Sequence, residues 1–114
     1  MTKRASLDRA FAALADGTRR GVVERLRRGP ARAGELAQAL RVSAPALSRH
    51  LRLLRACKLV AEDVDAADAR ARVYTLRREV FVELRHWVDD VEAMWQDQLA
   101  AFAAHVQRRT RQDP

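Results

Sequence analysis

The sequence has few of the residues that tie small folds together or break helices. It contains one cysteine, three prolines, four glycines and six aromatic residues in 114 positions. A lone Cys57 excludes an internal disulfide framework and a zinc site built from several cysteines of one chain. Alanine and leucine supply much of the apolar content, which favours closely packed helices over a β sandwich. The length predicts one domain with a modest core.

Long hydrophobic runs are also missing. The start, MTKRASLDRAF, is basic, but no apolar stretch of signal-peptide length follows, and no segment approaches the length of a membrane span. We therefore expect a cytoplasmic protein without a membrane partner. No nucleophile with a base, no Gly-rich phosphate loop and no paired carboxylates in a plausible cleft are apparent, so the sequence predicts neither an enzyme nor a cofactor.

Positive charge is concentrated in the first two thirds of the chain. The formal net charge is +7, but residues 1–78 hold 18 basic and 8 acidic side chains, whereas residues 79–108 hold 2 basic and 6 acidic ones. Twenty of the 22 basic residues are arginine, which makes bidentate contacts to phosphate and guanine, although a genome rich in G and C would also yield arginine. The first part is expected to bind a polyanion and the second is not.

Caps and apolar spacing predict a series of helices. Ser6 is placed to cap the first helix and Asp16 the second, which ends before Gly29 and Pro30. A short third helix follows in AGELAQAL, then a turn at RVS, and Ser43 is placed to cap a further helix. Two short helices with this connection, over about 33–57, form a helix-turn-helix, whose second helix enters the DNA major groove.

A β hairpin and one long helix complete the predicted fold. LVAEDV and RVYTL are rich in strand formers and flank the loop DAADARA, which predicts a wing over about 59–77. No Gly or Pro interrupts 79–108, where apolar residues step by three and four. The expected fold class is mostly α with a small β hairpin, a winged helix-turn-helix in a single domain over 1–108, with a disordered tail over 109–114.

The helix over 43–57 has two different faces. At about 100° per residue, Leu47, Leu51 and Leu54 fall on one side and the polar or small residues fall on the other. The candidate DNA-facing residues from this pattern are Ala44, Pro45, Ser48, Arg49 and Arg52, with Arg70 and Arg72 on the wing. Small residues let the backbone approach a groove floor, and the wing would flank it. A solvated charged surface with no role in DNA binding is the alternative.

Several motifs together resemble one family. FAALADGTRR, GELAQAL, VSAPALSRHLRLLRACKLV and RVYTL make the chain similar to the ArsR-type winged-helix repressors over residues from about 5 to 100. The resemblance implies a homodimer that binds operator DNA through the helix over 43–57 and dimerises through its first and last helices, with DNA released in many members by an effector. By position it also implies that Ser43, Ser48, Arg49 and His50 face DNA, with Arg70 and Arg72 on the wing.

Three positions depart from the family pattern. Ala44 stands where a long polar residue is common, and Arg32 replaces the usual Ser or Thr cap before AGELA. Lys58 stands where Gly is common; if its backbone is left-handed, Lys costs about 1 kcal/mol relative to Gly.

The apolar stripe of the last helix predicts burial against a second copy, because so small a domain cannot cover it. The predicted dimerisation residues of this stripe are Leu84, Trp87, Val88, Val91, Trp95, Leu99 and Phe102, and the resemblance implies Leu7 and Phe11 of the first helix as well. Twofold symmetry would place two recognition helices about 34 Å apart and predicts an imperfect palindrome as operator. A small-molecule pocket between the long helices is an alternative use of Trp87, Trp95 and Phe102.

The metal-ligand motifs of the family's metal sensors are absent. The segment AGELAQAL has no Cys or His, and His86 and His105 would lie about 28 Å apart along one helix. We therefore predict no metal site and no release of DNA by Zn²⁺, Cd²⁺ or arsenite. A site made across the dimer from Glu83, His86 and Asp90 stays open as an alternative.

Two further alternatives concern the thiol and the partner. Cys57 ends the recognition helix, where a lone Cys most often behaves as a small buried hydrophobe, although a thiol-responsive regulator is conceivable. A winged-helix module that contacts another protein would make the basic face incidental. The sequence does not identify the effector, the operator or the regulated genes.

Overall fold

The computed structural model describes residues 3–112, which form five helices and three short strands. In chain order these are α1 (Lys3–Leu14), α2 (Gly17–Leu26), β1 (Ala31–Arg32), α3 (Ala33–Leu40), α4 (Ala44–Ala56), β2 (Val60–Val64), β3 (Arg72–Leu76) and α5 (Arg78–Gln112). The chain divides into two compact units, one ending at Glu83 and the other beginning at Leu84. The predicted fold class, mostly helical with a small sheet and a winged helix-turn-helix, is confirmed.

The first two helices differ from each other in how they begin. Asp16 caps α2 as predicted, and its carboxylate accepts a hydrogen bond from the backbone N–H of Arg19 at 3.0 Å. The predicted cap at Ser6 is wrong, because α1 is already helical at Lys3. Lys, Arg and Ala are good helix formers, so the residues before Ser6 extend the helix toward the N-terminus.

The turn between α3 and α4 depends on one left-handed residue. Arg41 has φ 56° at the end of α3, and the next N–H, of Val42, donates to the carbonyl of Ala37 at 3.1 Å. Ser43 then caps α4, where its hydroxyl accepts from the N–H of Ala46 at 3.2 Å. The short connection brings α4 against α3 and gives the helix-turn-helix that the sequence predicts.

Leucines on α4 supply much of the core of the first unit. Leu47, Leu51 and Leu54 are buried, as their helical spacing predicts. They belong to a larger apolar set that includes Ala10, Ala13, Val22, Leu26, Ala31, Leu36, Leu59, Val60 and Val80. Because this core holds α4 by one side only, its opposite side stays in solvent.

The wing is part of a three-stranded antiparallel sheet with the order β1-β3-β2. Val60 of β2 pairs with Leu76 of β3, and Ala31 of β1 pairs with Tyr74 on the other edge. The hairpin agrees with the prediction for 59–77. Strand β1 was not predicted, because two residues are too few to show the alternation by which a strand is recognised.

Helix α5 is longer than predicted. It begins at Arg78 and continues to Gln112, so residues 109–112 are helical where the sequence predicts a disordered tail; the rest of that tail lies outside the described residues. No Gly or Pro interrupts the segment after Arg108, and Arg109 and Arg111 lie in the last turn, where positive charge favours a helix. Within residues 3–112, no helix is apolar over enough of its length to span a bilayer.

Candidate nucleic-acid interface

Helix α4, the recognition helix, presents a solvent-exposed face of small and basic residues. Ser43 holds the first turn, and Pro45 lies in it, where its missing N–H leaves no hydrogen bond unmade. The exposed residues of this face are Ser43, Ala44, Pro45, Ser48, Arg49 and Arg52. The structure therefore brings six of the predicted DNA-facing residues to one exposed surface. Their role in DNA binding stays a prediction.

Arg49 and Arg52 are available for binding an anion. Both side chains are exposed, and within residues 3–112 neither guanidinium forms an ion pair or a side-chain hydrogen bond. A guanidinium carries five N–H donors in a planar fork that fits phosphate or the edge of guanine. This surface can therefore supply two such forks per chain.

His50 is held at the flank of the recognition helix. Its ring is partly buried, and Nδ1 lies 3.2 Å from Nη1 of Arg19. Because a guanidinium only donates, Nδ1 is the acceptor, and the neutral ring then carries its hydrogen on Nε2. Nε of Arg19 also donates to the carbonyl of Ala13 at 2.7 Å, so Arg19 ties α1, α2 and α4 together. His50 therefore has an intrachain contact that its predicted DNA-facing position does not reveal.

Arg19 is a structural residue that the sequence pattern did not single out. It lies in the segment ADGTRR, but its contact to His50 joins two residues that are 31 positions apart along the chain. The hydrogen bond from the backbone N–H of Arg19 lowers the pKa of Asp16 below the ordinary 3.8, and the charge of Arg19 makes a smaller contribution in the same direction. Asp16 and Arg19 thereby fix the start of α2 beside the recognition helix.

The wing, defined as β2, β3 and the loop between them, places its two predicted arginines differently. Arg70 is exposed at the loop, where its backbone N–H donates to Asp68 at 3.0 Å, and its side chain forms no ion pair in the described part of the chain. Arg72 lies on β3, and its Nε is 3.4 Å from Oε1 of Glu62. The charge of Arg70 is therefore not offset by an ion pair in the described part of the chain, whereas the charge of Arg72 is partly offset by Glu62.

Glu62 on β2 joins the wing to the recognition helix. Besides Arg72, its carboxylate contacts Nη1 of Arg55 at 2.7 Å and accepts a hydrogen bond from the hydroxyl of Tyr74 at 3.2 Å. Burial, followed by the Glu62 charge and this hydrogen bond, raises the pKa of Tyr74 above 10.0. These four residues, Glu62, Arg55, Arg72 and Tyr74, are called the Glu62 cluster below.

A second ion pair closes the wing at its other end. Nε of Arg32 donates to Oδ2 of Asp65 at 2.8 Å, and the same carboxylate accepts from the N–H of Ala67 at 2.9 Å. The hydrogen bond from Ala67, followed by that from Arg32, lowers the pKa of Asp65, and Asp65 in turn raises that of Arg32. Arg32 replaces the usual cap of α3, yet its side chain ties β1 to the end of β2.

Cys57 follows the recognition helix and is half-buried. It is the residue after Ala56, and its Sγ lies 3.7 Å from the carbonyl oxygen of Arg9 in α1. This position agrees with a small side chain that fills space between helices. Lys58 follows with φ 59°, so its backbone is left-handed and the cost of about 1 kcal/mol relative to Gly applies.

The second unit presents apolar side chains to solvent. Trp95 is 64% exposed and Phe102 is 68% exposed, and Trp87, Val88, Val91 and Leu99 are exposed as well. Leu84 is half-buried at the start of this unit; in the first unit, Phe11 is exposed and Leu7 is half-buried. Within the described residues, no three His, Cys, Asp or Glu side chains are grouped so that they could hold a metal ion.

Comparison with known proteins assigns this architecture to a family. Residues 16–62, which include α2, α3 and the recognition helix, match the bacterial regulatory protein family arsR. The chain is 45% identical over 98 residues to the HTH-type transcriptional regulator Rv2034 of Mycobacterium tuberculosis, covering 86% of each chain. It is 27% identical over 82 residues to the transcriptional repressor SdpR of Bacillus subtilis, covering 72% of this chain and 88% of that one.

Solved structures show the same fold. An ArsR-like transcriptional regulator from Rhodococcus sp. RHA1 has a TM-score of 0.73 and 32% identity, over 87% of this chain and 91% of that one. The helix-turn-helix, the wing and the similarity to regulators over most of the chain agree with one another. The chain therefore belongs to the ArsR family of bacterial regulatory proteins, and it is a DNA-binding transcriptional regulator and not an enzyme.

Proposed function

We propose that the protein is a homodimeric transcriptional repressor that binds a palindromic operator with its recognition helix and wing. The observation that carries this proposal is the exposed face of α4, on which Arg49 and Arg52 have no partner within the described chain. In this role the protein works in the cytoplasm, beside the chromosome. One of its relatives is named as a repressor, which supports this direction of regulation.

The recognition helix fits the major groove in both shape and chemistry. The groove is about 12 Å wide and admits one α-helix. Ala44 and Ser48 have short side chains, so that the backbone of α4 can approach the groove and Arg49 and Arg52 extend furthest from its exposed face. Either arginine can pair with O6 and N7 of a guanine, and Arg70 of the wing can bind a phosphate alongside.

Dimerisation would bury the apolar surface of α5. Trp95, Leu99 and Phe102 are each at least 60% exposed, and exposed apolar surface of this extent marks an interaction site. In an isologous dimer the apolar stripe of each chain packs against the same stripe of the other chain, so both stripes are removed from water. With α1 it would include all nine of the predicted dimerisation residues, Leu7, Phe11, Leu84, Trp87, Val88, Val91, Trp95, Leu99 and Phe102.

The test is a selection of duplexes from a random-sequence pool by the wild-type protein, followed by footprinting and by measurement of the stoichiometry. We expect two related half-sites in inverted orientation, with centres about 10–10.5 bp apart or a multiple of that spacing, and two chains bound per duplex. One asymmetric half-site bound by a single chain would contradict the dimer. A gel shift on the DNA upstream of the protein's own gene would then show whether that promoter contains the selected sequence.

A further inference from the structure

The arginines on and beside the DNA-facing surface differ in whether they form an ion pair. Arg49 and Arg52 form no ion pair within residues 3–112, whereas Arg55 and Arg72 share the carboxylate of Glu62 at 2.7 and 3.4 Å. Arg55 belongs to the recognition helix and Arg72 to the wing. Their common partner, Glu62 of β2, therefore links the recognition helix to the wing, and both elements are proposed to contact DNA.

The position of the Glu62 side chain is fixed by its surroundings, so that it can orient the two arginines. Its side chain is 23% exposed, the hydroxyl of Tyr74 donates to it at 3.2 Å, and its backbone is in the register of β2 opposite Tyr74. The two arginines are about half exposed, at 49% and 53%, so each guanidinium lies at the surface with one nitrogen within ion-pair distance of the carboxylate. An ion pair that is partly shielded from water orients both partners.

This arrangement affects binding to DNA of any sequence. Each phosphate neutralised by a free arginine makes the slope of log K against log salt more negative by about 0.9, so one extra contact raises affinity about eightfold at 0.1 M salt. The carboxylate of Glu62 offsets part of the positive charge of both arginines, and it repels a phosphate that comes close to the pair. Arg55 and Arg72 therefore contribute less to indiscriminate binding than their formal charge implies.

We propose that Glu62 is a positioning residue for specificity: it withholds Arg55 and Arg72 from indiscriminate phosphate contacts and keeps the wing in one orientation relative to the recognition helix. Its effect is to raise the ratio of operator affinity to non-operator affinity. The inference rests on the proposed operator-binding function and names a residue outside the DNA-facing set.

The test compares Glu62→Gln with Glu24→Gln. Glu24 also pairs with one arginine, Arg27, at 2.8 Å, but it lies on α2 and is exposed, so the control removes the same charge away from the cluster. The probes are a duplex selected by the wild-type protein from a random pool and an unselected duplex of equal length, each titrated between 50 and about 200 mM salt.

For Glu62→Gln we expect affinity for the unselected duplex to rise about eightfold at 0.1 M salt for each new phosphate contact. Its salt slope should become more negative by about 1.8 if each protomer of a dimer gains one contact. Affinity for the selected duplex should rise less, so that the ratio of the two affinities falls. An unchanged ratio and slope, equal to those of Glu24→Gln, would overturn the proposal.

A second variant covers the case in which Glu62→Gln does not fold. The triple variant Glu62→Gln, Arg55→Gln, Arg72→Gln removes the charges of the whole cluster. If the two arginines make no indiscriminate contacts in the wild type, its salt slope on unselected DNA equals that of the wild type; a shallower slope would overturn the inference. A wild-type protein that prefers no duplex at all would instead refute the proposed function.

Discussion

At the scale of single residues, the partner of an arginine decides what it can do. Arg49, Arg52 and Arg70 have guanidinium groups without ion pairs in the described chain, whereas Arg72 is paired. The sequence places all four on the DNA-facing surface by helical spacing and resemblance, but charge alone cannot tell them apart. The pairing of Arg72 depends on Glu62, ten residues away across a hairpin, and so it appears only once the strand register is known.

Lys58 provides a test of backbone conformation. Its φ is 59°, a region in which a Cβ is unfavourable, and the N–H of Leu59 donates to the carbonyl of Leu54 at 3.0 Å to close the end of the recognition helix. We expect Lys58→Gly to raise the free energy of unfolding by about 0.5–1 kcal/mol in urea denaturation. Lys58→Ala keeps the Cβ and should give no such gain. Equal stability of the two variants would show that the left-handed backbone is not costly here.

At the scale of elements, the wing depends on the ion pair between Arg32 and Asp65. The pKa of Asp65 is lowered in the folded protein, first by the N–H of Ala67 and then by Arg32. A carboxyl whose pKa is lowered on folding adds stability above its unfolded pKa, near the ordinary 3.8, and loses it as the pH falls through the folded value. The wing should therefore loosen in acid.

Asp65→Asn tests this loss. We expect the variant to be less stable than the wild type at neutral pH, with a difference that shrinks as the pH falls below about 4, measured by thermal unfolding across the range. Asp63→Asn is the control, since its side chain oxygen can still accept from the N–H of Val64 at the same strand. A wild-type advantage over Asp65→Asn that stays constant down to pH 2 would contradict the ion pair's contribution.

Elements differed in how well the sequence predicted them, for physical reasons. The recognition helix carries three signals that agree, namely a Ser43 cap, leucines at helical spacing and an exposed polar face, and its bounds agree with the structure within about a residue. Strand β1 has only Ala31 and Arg32, and its pairing with β3 is a contact between distant segments. The predicted start of α1 at Ser6 is wrong because the prediction gave more weight to a capping residue than to the helix propensity of the residues before it.

At the scale of the whole molecule, the sequence predicts the exposed face of the candidate interface but not the polar contacts beside it. The sequence indicates which face of the recognition helix is exposed, because its leucines are buried in the core and the opposite face must then lie toward solvent. It does not reveal that His50 contacts Arg19 or that Arg32 contacts Asp65, since both contacts join residues more than thirty positions apart. Long-range polar contacts follow from the fold and have no local pattern.

The proposed dimer can be tested on one face of α5. Leu99→Asp places a charge in the apolar stripe, whereas Ala100→Asp adds the same charge on the adjacent residue, which is exposed but lies about 100° further around the helix. We expect Leu99→Asp to sediment as a monomer and to bind the selected duplex much more weakly, and Ala100→Asp to remain a dimer. A wild-type monomer, or a dimer that Leu99→Asp leaves intact, would refute this interface.

The central claim, that the exposed face of the recognition helix binds DNA, is tested most directly by one titration. The double variant Arg49→Ala, Arg52→Ala is compared with Arg108→Ala, Arg111→Ala, which removes two exposed arginines from α5, with folding of both checked by circular dichroism. At about 1–3 kcal/mol for each of two base contacts, we expect the first variant to bind the selected duplex at least about 30-fold more weakly than the wild type, and the second to bind nearly as well. Equal affinity of the two variants for that duplex would contradict the claim.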